Sequence, residues 1–317
     1  MAYSDIKDPS AHFQALTYTG NGTTTNNVTN TGNSNLQPDW VWIKQRSATQ
    51  DHVVTDSSRD GEVASGTNLV LTPNTNEAEA SSTGFGINYA TNGINFDAAW
   101  AKVNASGQTY VAWQWKANGG TTSSNTDGDI TSTVQADTDA GFSIMTYAGT
   151  TGDVHTIGHG LGVTPDVWIV KQRSNGGDFQ NWFFWHKDMA ASNVVDNRML
   201  FLNSTAAVGT YTGINAVTSS TIRVKSSTTA QNGDTYVAYA FAEKQGYSKF
   251  GKYVGNGNAS GPFIYTGFKP AVIIHKSTTT VKYWGIITGG TFENEIDARL
   301  NPNLVAAEGT GTMVDFL

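Results

Sequence analysis

Gly107-Gln-Thr-Tyr-Val-Ala-Trp-Gln-Trp-Lys-Ala117 returns later in the chain as Gly233-Asp-Thr-Tyr-Val-Ala-Tyr-Ala-Phe-Ala-Glu243. Both stretches alternate with a period of two, the pattern of a β-strand. One face carries Val111, Trp113 and Trp115, matched by Val237, Tyr239 and Phe241. Size is kept while identity changes, as a packed sandwich core tolerates, so this face is expected to line the core. The opposite face carries Tyr110, Ala112 and Gln114 against Tyr236, Ala238 and Ala240. It is small enough for another sheet or chain to approach closely.

Two further blocks recur upstream of this one. The first reads Phe13 … Tyr18-Thr-Gly20, Phe142 … Tyr147-Ala-Gly149 and Phe250 … Tyr253-Val-Gly255. The second reads Pro38-Asp-Trp-Val-Trp-Ile-Lys44, Pro165-Asp-Val-Trp-Ile-Val-Lys171 and Pro270-Ala-Val-Ile-Ile-His-Lys276. Trp40-Val-Trp-Ile43 is apolar on both faces, which predicts a central strand covered on both sides. The repeat length is roughly a hundred residues, above that of solenoids, so each copy is expected to hold its own core.

The bulk composition agrees. Only 14% of residues are charged, 11% are aromatic, and 34 are glycine. That aromatic content separates the chain from a disordered one. Turn residues mixed with β-branched and aromatic ones indicate an all-β protein. A net charge of −7 argues against a nucleic-acid partner, which needs a basic stripe. Without cysteine there is neither a disulfide framework nor a thiolate metal site. The start Met1-Ala-Tyr-Ser-Asp shows no secretory signal, and no apolar run approaches the roughly 20 residues of a membrane helix.

The expected architecture is a tandem of antiparallel β-sandwich domains, jelly-roll or immunoglobulin-like, with the third copy incomplete. Residues 1–12 form a lead-in and a plausible attachment segment, 13–117 the first sandwich, 118–140 a flexible or turn-rich linker, 141–243 the second sandwich, and 250–317 a partial third. The short joint from Lys244 to Lys249 predicts that the last two units sit more rigidly than the first two. The third copy stops before a closing block. Either the chain continues in a longer protein, or a neighbouring subunit supplies the missing strands, since an open sheet edge is sticky.

Few residues suggest chemistry. His155 and His159 share a strand face at a spacing of roughly 13 Å, too wide for one ion. Asn125-Thr-Asp-Gly-Asp129 faintly resembles a calcium loop but reads better as an Asx turn, lacking the later glutamate. No nucleophile elbow, zinc helix, P-loop or dinucleotide fingerprint is present. The expectation is a non-enzyme with no catalytic residues, metal or cofactor. Trp182, Phe183, Phe184 and Trp185 form the densest aromatic run. Alternation puts Trp182 and Phe184 on one face, and Phe183 and Trp185 on the other. One pair belongs to the core, and the other is a candidate surface for a subunit or domain contact, or for a glycan. The expected repeat core comprises Trp40, Trp42, Trp113, Trp115, Trp168, Tyr239 and Phe241. Asp56-Ser-Ser-Arg59, Asp196-Asn-Arg198 and Asp297-Ala-Arg299 are expected to form local loop-pinning bridges. Lys44, Lys171 and Lys276 are expected to mark polar strand ends or protect edges.

Phe13 to Gly22, Gln37 to Lys44, Val103 to Trp113 and Gly246 to Gly251 resemble the repeated domains of uncharacterised proteins of tailed phages, many from aquatic bacteria. The resemblance covers nearly the whole chain and brings no catalytic residues. It implies a virion component, most often a tail fibre or tail protein, and a chain that runs on to complete the last unit. The expected function is therefore a virion structural protein. It would be synthesised in the host cytoplasm and built into an appendage that touches the host surface. The expected partners are other virion proteins, copies of itself with a trimer favoured, and host surface glycan, with no nucleic acid and no membrane insertion. The alternatives are a capsid decoration or head-fibre protein, and a glycan-binding module or depolymerase.

Overall fold

The computed structural model describes residues 4, 6–174, 180–189, 198–211, 217–258, 260–288 and 296–314. Every named strand pair is antiparallel, and the chain is an all-β protein built of packed sheets. Unit one contains β1 (Phe13–Thr19), β2 (Asn26–Thr29), β3 (Trp40–Gln45), β4 (Val53–Asp56), β5 (Asn68–Val70), β6 (Ala80–Ser82), β7 (Ile87–Ala90), β8 (Gly93–Phe96) and β9 (Thr109–Trp115). Its main sheet runs β1-β9-β3-β4 and its second sheet β2-β8-β7.

Unit two contains β10 (Ser123–Asn125), β11 (Ser132–Asp137), β12 (Phe142–Ala148), β13 (Val154–Gly158), β14 (Val167–Gln172), β15 (Phe183–His186), β16 (Arg198–Phe201), β17 (Gly209–Thr210), β18 (Thr221–Lys225) and β19 (Thr235–Phe241). Here β12-β19-β14-β15 repeats the order of unit one inside a longer sheet, and β13-β18 lies over it. Unit three contains β20 (Val272–His275), β21 (Gly285–Thr288), β22 (Ile296–Arg299) and β23 (Gly309–Val314). The first two correspond to β3 and β4. Counterparts of the opening and closing strands are missing from its described residues.

The register is the same in both complete units. Tyr18 faces Tyr110, and Tyr147 faces Tyr236, each pair with stacked rings about 5 Å apart. The hydroxyls of Tyr18 and Tyr147 reach across to the carbonyls of Val103 and Thr229. The glycine two residues on is forced by close approach: a Cβ at Gly20 or Gly149 would collide with the carbonyl of Ala105 or Gln231. The repeated Tyr-Xaa-Gly is thus a sheet-corner device. The repeated Pro-Asp is another: Asp39 accepts the N–H groups of Ala117, Gly119 and Gly120, and Asp166 that of Glu243, fixing the chain as it leaves the closing strand.

Several expectations change. The stretch 118–140 is no free linker, because β11 within it pairs along β12 and belongs to unit two. The lead-in is tied to the body as well, by Asp8 accepting from Ser34 and by His12 facing Asp137 at 2.6 Å.

The faces of the closing strands are exchanged relative to expectation. The small face (Tyr110, Ala112; Tyr236, Ala238, Ala240) packs under each unit's own second sheet. Alanine leaves room there for Ile94 and Phe96, or Ile222 and Val224. The large face looks outward from the sandwich, toward the other units.

Finally, each complete unit holds its own core, as expected, but a further core is shared between the units. One cluster joins Trp40, Trp42, Trp113 and Trp115 of unit one to Phe142, Ile144, Ile169 and Tyr239 of unit two and to Trp284, Ile286 and Leu300 of unit three. Trp40 lies 4.7 Å from Tyr239 and 5.6 Å from Phe142, ring centre to ring centre. Three sheets that meet face to face leave a wide central space, and indole-sized side chains fill it to the density of a protein interior.

Candidate functional site

The seams between units hold buried polar groups, among them Lys44, His52, Arg59 and Arg173. They are built from a motif that recurs three times: Leu71-Thr-Pro-Asn74, Leu200-Phe-Leu-Asn203 and Leu300-Asn-Pro-Asn303. Within each unit the Asn side chain accepts the N–H of the residue just before the fourth strand or its counterpart. His52 donates to Asn74 at 2.8 Å, Trp182 to Asn203 at 3.1 Å and Trp284 to Asn303 at 3.0 Å.

That same residue then reaches into a neighbouring unit. The indole of Trp182 donates to the Thr72 carbonyl at 3.1 Å, and that of Trp284 to the Phe201 carbonyl at 2.9 Å. His52 Nε2 lies 3.0 Å from the Asn301 carbonyl. Thr72, Phe201 and Asn301 are equivalent positions, so unit two contacts unit one, unit three contacts unit two, and unit one contacts unit three. A head-to-tail contact repeated with one sense closes into a ring when the rotation suits. Here it closes within one polypeptide, around a pseudo-threefold axis.

A second set of bonds repeats the cycle. The N–H of Glu79 donates to the Arg173 carbonyl, that of Glu308 to Arg46, and that of Val208 to Thr278, at 2.9–3.0 Å. Two of these seams add bidentate ion pairs, Arg173 with Glu79 and Arg46 with Glu308.

The seam between units one and two is the most highly charged. Arg59 is fully buried, bonded to Asp56 and to Glu79 at 2.7 Å, and the Tyr239 hydroxyl donates to Asp56 at 2.7 Å. Burial pushes the Glu79 carboxyl up, but Arg59 and Arg173 outweigh it and hold the group below its usual range. The expected Asp56–Arg59 bridge is present, but its duty extends from pinning a loop to joining two units. Asp196 lies outside the described residues.

The lysines are also corrected. Lys44 and Lys171 are fully buried in strands paired on both edges. Lys44 donates to the carbonyls of Gln45 and Val305, Lys276 to those of Ser277 and Thr205, and Lys171 to that of Gln172. Lys44 and Lys276 thereby cross a seam. Burial pulls the Lys44 ammonium down to about 8 and that of Lys171 to about 7.

The aromatic run divides as its alternation indicates. Phe183 and Trp185 enter unit two's sandwich core, where Trp185 stacks on Trp168. Trp182 enters the central core, and Phe184 packs against it, edge-on to Trp284 of unit three at 4.8 Å. None of the four is exposed, and of the alternatives the one present is a contact between units of one chain. Trp40, Trp42, Trp113, Trp115, Trp168 and Tyr239 are buried, and Phe241 is half-buried against the central cluster.

The other flagged residues have local roles. His159 is buried, with Nδ1 accepting from the Leu161 N–H and Nε2 directed at the Thr218 carbonyl. Asn125 and Asp127 form an Asx turn. No group of three or more His, Asp or Glu side chains converges for a metal among the described residues.

One exchange of sizes runs round the ring. Unit one pairs Trp42 with His52, whereas units two and three place Ile169 with Trp182 and Ile274 with Trp284. Large-with-small is conserved in sum. Trp42→Ile alone is expected to destabilise by about 2–4 kcal/mol and His52→Trp alone by about 1–3 kcal/mol. The double variant should recover at least about 1 kcal/mol of the combined loss in a urea-melt cycle. Strict additivity would show that the two positions do not share the space.

A single-chain ring of β-sandwich repeats, locked by buried seams, is the class of protein these features define. The chain belongs to the family described as Domain of unknown function (DUF7483), whose model matches residues 8–317. No curated protein and no solved structure matches it.

Proposed function

We propose that the protein is a structural component of a phage virion, part of a tail fibre or similar appendage that helps present a surface to the host. The observation that carries this reading is the cyclic closure of three tandem units into one locked body. At the seams Arg46, Arg59 and Arg173 are paired with carboxylates, Lys44 and Lys276 with carbonyls, and the indoles of Trp182 and Trp284 with backbone. Such a body transmits load and holds a surface in place, and weak contacts repeated over many copies would add up to firm attachment. The likeness of its repeated blocks to phage tail proteins points the same way. Its partners would be other virion proteins, further copies of itself and host glycan.

The pseudo-threefold form favours one second reading, a decoration protein seated on a local threefold position of a capsid. Immunogold labelling of purified particles, with copy number from quantitative mass spectrometry, tests both. Label confined to the tail with few copies supports the appendage. Label over the head with copies in step with the capsomers supports decoration. Absence from purified particles would remove both.

A further inference from the structure

A groove of about 220 Å³ lies at the seam between units one and two. Its floor is the sheet of unit two, which presents Thr131 and Thr133 at β11, Thr146 on β12 and Thr235 on β19. Thr133 stands opposite Thr146 across the strand pair. Arg173, the residue after β14, bonds through its backbone N–H to the Thr235 carbonyl, and its side chain meets Glu62 of unit one at 2.8 Å. Unit one has no such floor, because β1 is the edge strand of its sheet and nothing stands in the place of β11.

The lining holds hydrogen-bonding capacity that the described residues leave unused. Thr146 is 5% exposed, yet its hydroxyl makes no hydrogen bond among them. Ser143, buried on the same strand, donates to the His159 carbonyl. Buried polar groups normally have partners, so one without calls for a physical reason. The hydroxyls of Thr131, Thr133 and Thr235 are likewise unpaired among the described residues. Arg173 is 9% exposed and uses Nε and Nη2 on Glu79 and Glu62, which leaves the two N–H groups of Nη1. Glu62 meets Arg173 through Oε2, which leaves Oε1. The spare donor comes without spare charge. Arg59 and Arg173 face three carboxylates, those of Asp56, Glu62 and Glu79, so an added anion would find no unpaired cation here.

We propose that this groove binds one ring of a neutral sugar. Size sets the first limit. Sites for drug-sized ligands run to roughly 300–1,000 Å³, so this groove admits a single ring and little more. Chemistry sets the second. A sugar hydroxyl both donates and accepts, so neighbouring hydroxyls can accept from Nη1 of Arg173 and donate to Oε1 of Glu62, while the threonine hydroxyls serve in either sense. The absence of an unpaired cation sets the third, and it selects a neutral ring over a carboxylated one. Strand pairing and the bidentate Arg173–Glu79 contact hold the donors in place before binding, which keeps the ordering cost low. As a seat for the host glycan named above, the groove rests on the appendage reading. The binding itself is read on the isolated chain, so the two can fail separately.

The test titrates the full chain, labelled with carbon-13 at its threonine methyls, with the methyl glycosides of glucose, galactose, mannose and N-acetylglucosamine. At least one is expected to shift the Thr133 and Thr146 resonances and to saturate at roughly millimolar concentration. Thr17, the unit-one counterpart of Thr146, should not move. The methyl glycoside of glucuronic acid should bind at least about tenfold more weakly than the best neutral sugar. Thr146→Val should weaken binding roughly tenfold. It should leave the urea midpoint equal or higher, because a buried hydroxyl without a partner is a cost to the fold. Thr17→Val should leave binding unchanged. No shift with any of the neutral sugars would overturn the proposal, as would shifts that spare Thr133 and Thr146. Tighter binding of the glucuronide would overturn the choice of a neutral ring. Unchanged affinity in Thr146→Val, or a lowered midpoint, would show that this hydroxyl serves the fold and not a ligand. Sugar binding by a chain absent from purified particles would keep the groove and remove the appendage.

Discussion

Arg59→Met is expected to destabilise the whole molecule by about 3–5 kcal/mol, the usual effect of removing one partner from a buried ion cluster. The guanidinium has no solvent exposure and holds Asp56 and Glu79 together across the first seam. Burial draws it toward neutrality, but Asp56 and Glu79 more than restore its charge, so it stays a cation at any ordinary pH. Methionine retains much of the volume while leaving two carboxylates buried, only one of them still paired with Arg173. The variant carrying Asp56→Asn and Glu79→Gln as well should regain a substantial part of the loss, because neutral polar groups carry a smaller desolvation penalty. Urea midpoints of the three chains measure this. Equal stability of Arg59→Met and the unmodified chain would mean that the cluster is not sealed from water.

Acid should open the ring at the seam between units one and three. His52 accepts the Trp42 indole N–H on Nδ1 at 2.9 Å, so its neutral form carries the proton on Nε2 and donates it to Asn301. A second proton on Nδ1 would confront the indole donor. Burial, with the Lys44 ammonium nearby, drives the His52 pKa down to about 3 from an ordinary 6.5, against smaller opposing contributions from Asn301, Asp51 and Leu304. Between those values the unfolded chain binds a proton that the folded chain refuses. Stability therefore falls as pH drops through that window, by up to about 1.4 kcal/mol per unit. The lowered lysines act in the same sense higher up. Lys171 and Lys44 are protonated in the unfolded chain up to about 10.5 but lose their protons near 7 and 8 when folded, so stability should keep rising from pH 7 to 9. The Trp42→Ile, His52→Trp variant removes the titrating ring while keeping a seam donor. Its stability should lose the His52 slope between pH 6.5 and 4, and an unchanged slope would assign the acid sensitivity elsewhere.

The strands were legible in the sequence because their constraints are local. Tyr-Val-Ala with alternating aromatics has one period and one register, and both complete units realise it identically. What covers each face was not legible. Alternation shows that Trp113 and Ala112 point oppositely, but says nothing about whether a sister sheet or a sister unit lies beyond. The large face was therefore expected in the sandwich, where the small one lies.

The segment 118–140 reads as a joint because its composition is turn-rich, yet β11 is held in the sheet by its pairing with β12, by buried Val134 and by the hydrogen bonds of buried Ser132 and Gln135. The ring itself left a readable trace in the three Leu-Xaa-Xaa-Asn motifs. Their spacing differs from unit to unit, and neither copies of Asn74 nor a His52 aligned with two tryptophans announces a seam until the fold brings them together. Strand alternation divides the Trp182 to Trp185 run into two pairs, which enter two different cores.

Scanning calorimetry of the intact chain addresses the shared core most directly. A single endotherm is expected, with calorimetric and van't Hoff enthalpies in agreement, because Trp40, Tyr239 and Trp284 belong to one cluster and no unit can leave without exposing it. Two or three resolved transitions, with Arg59→Met shifting only one of them, would contradict a body closed through its seams.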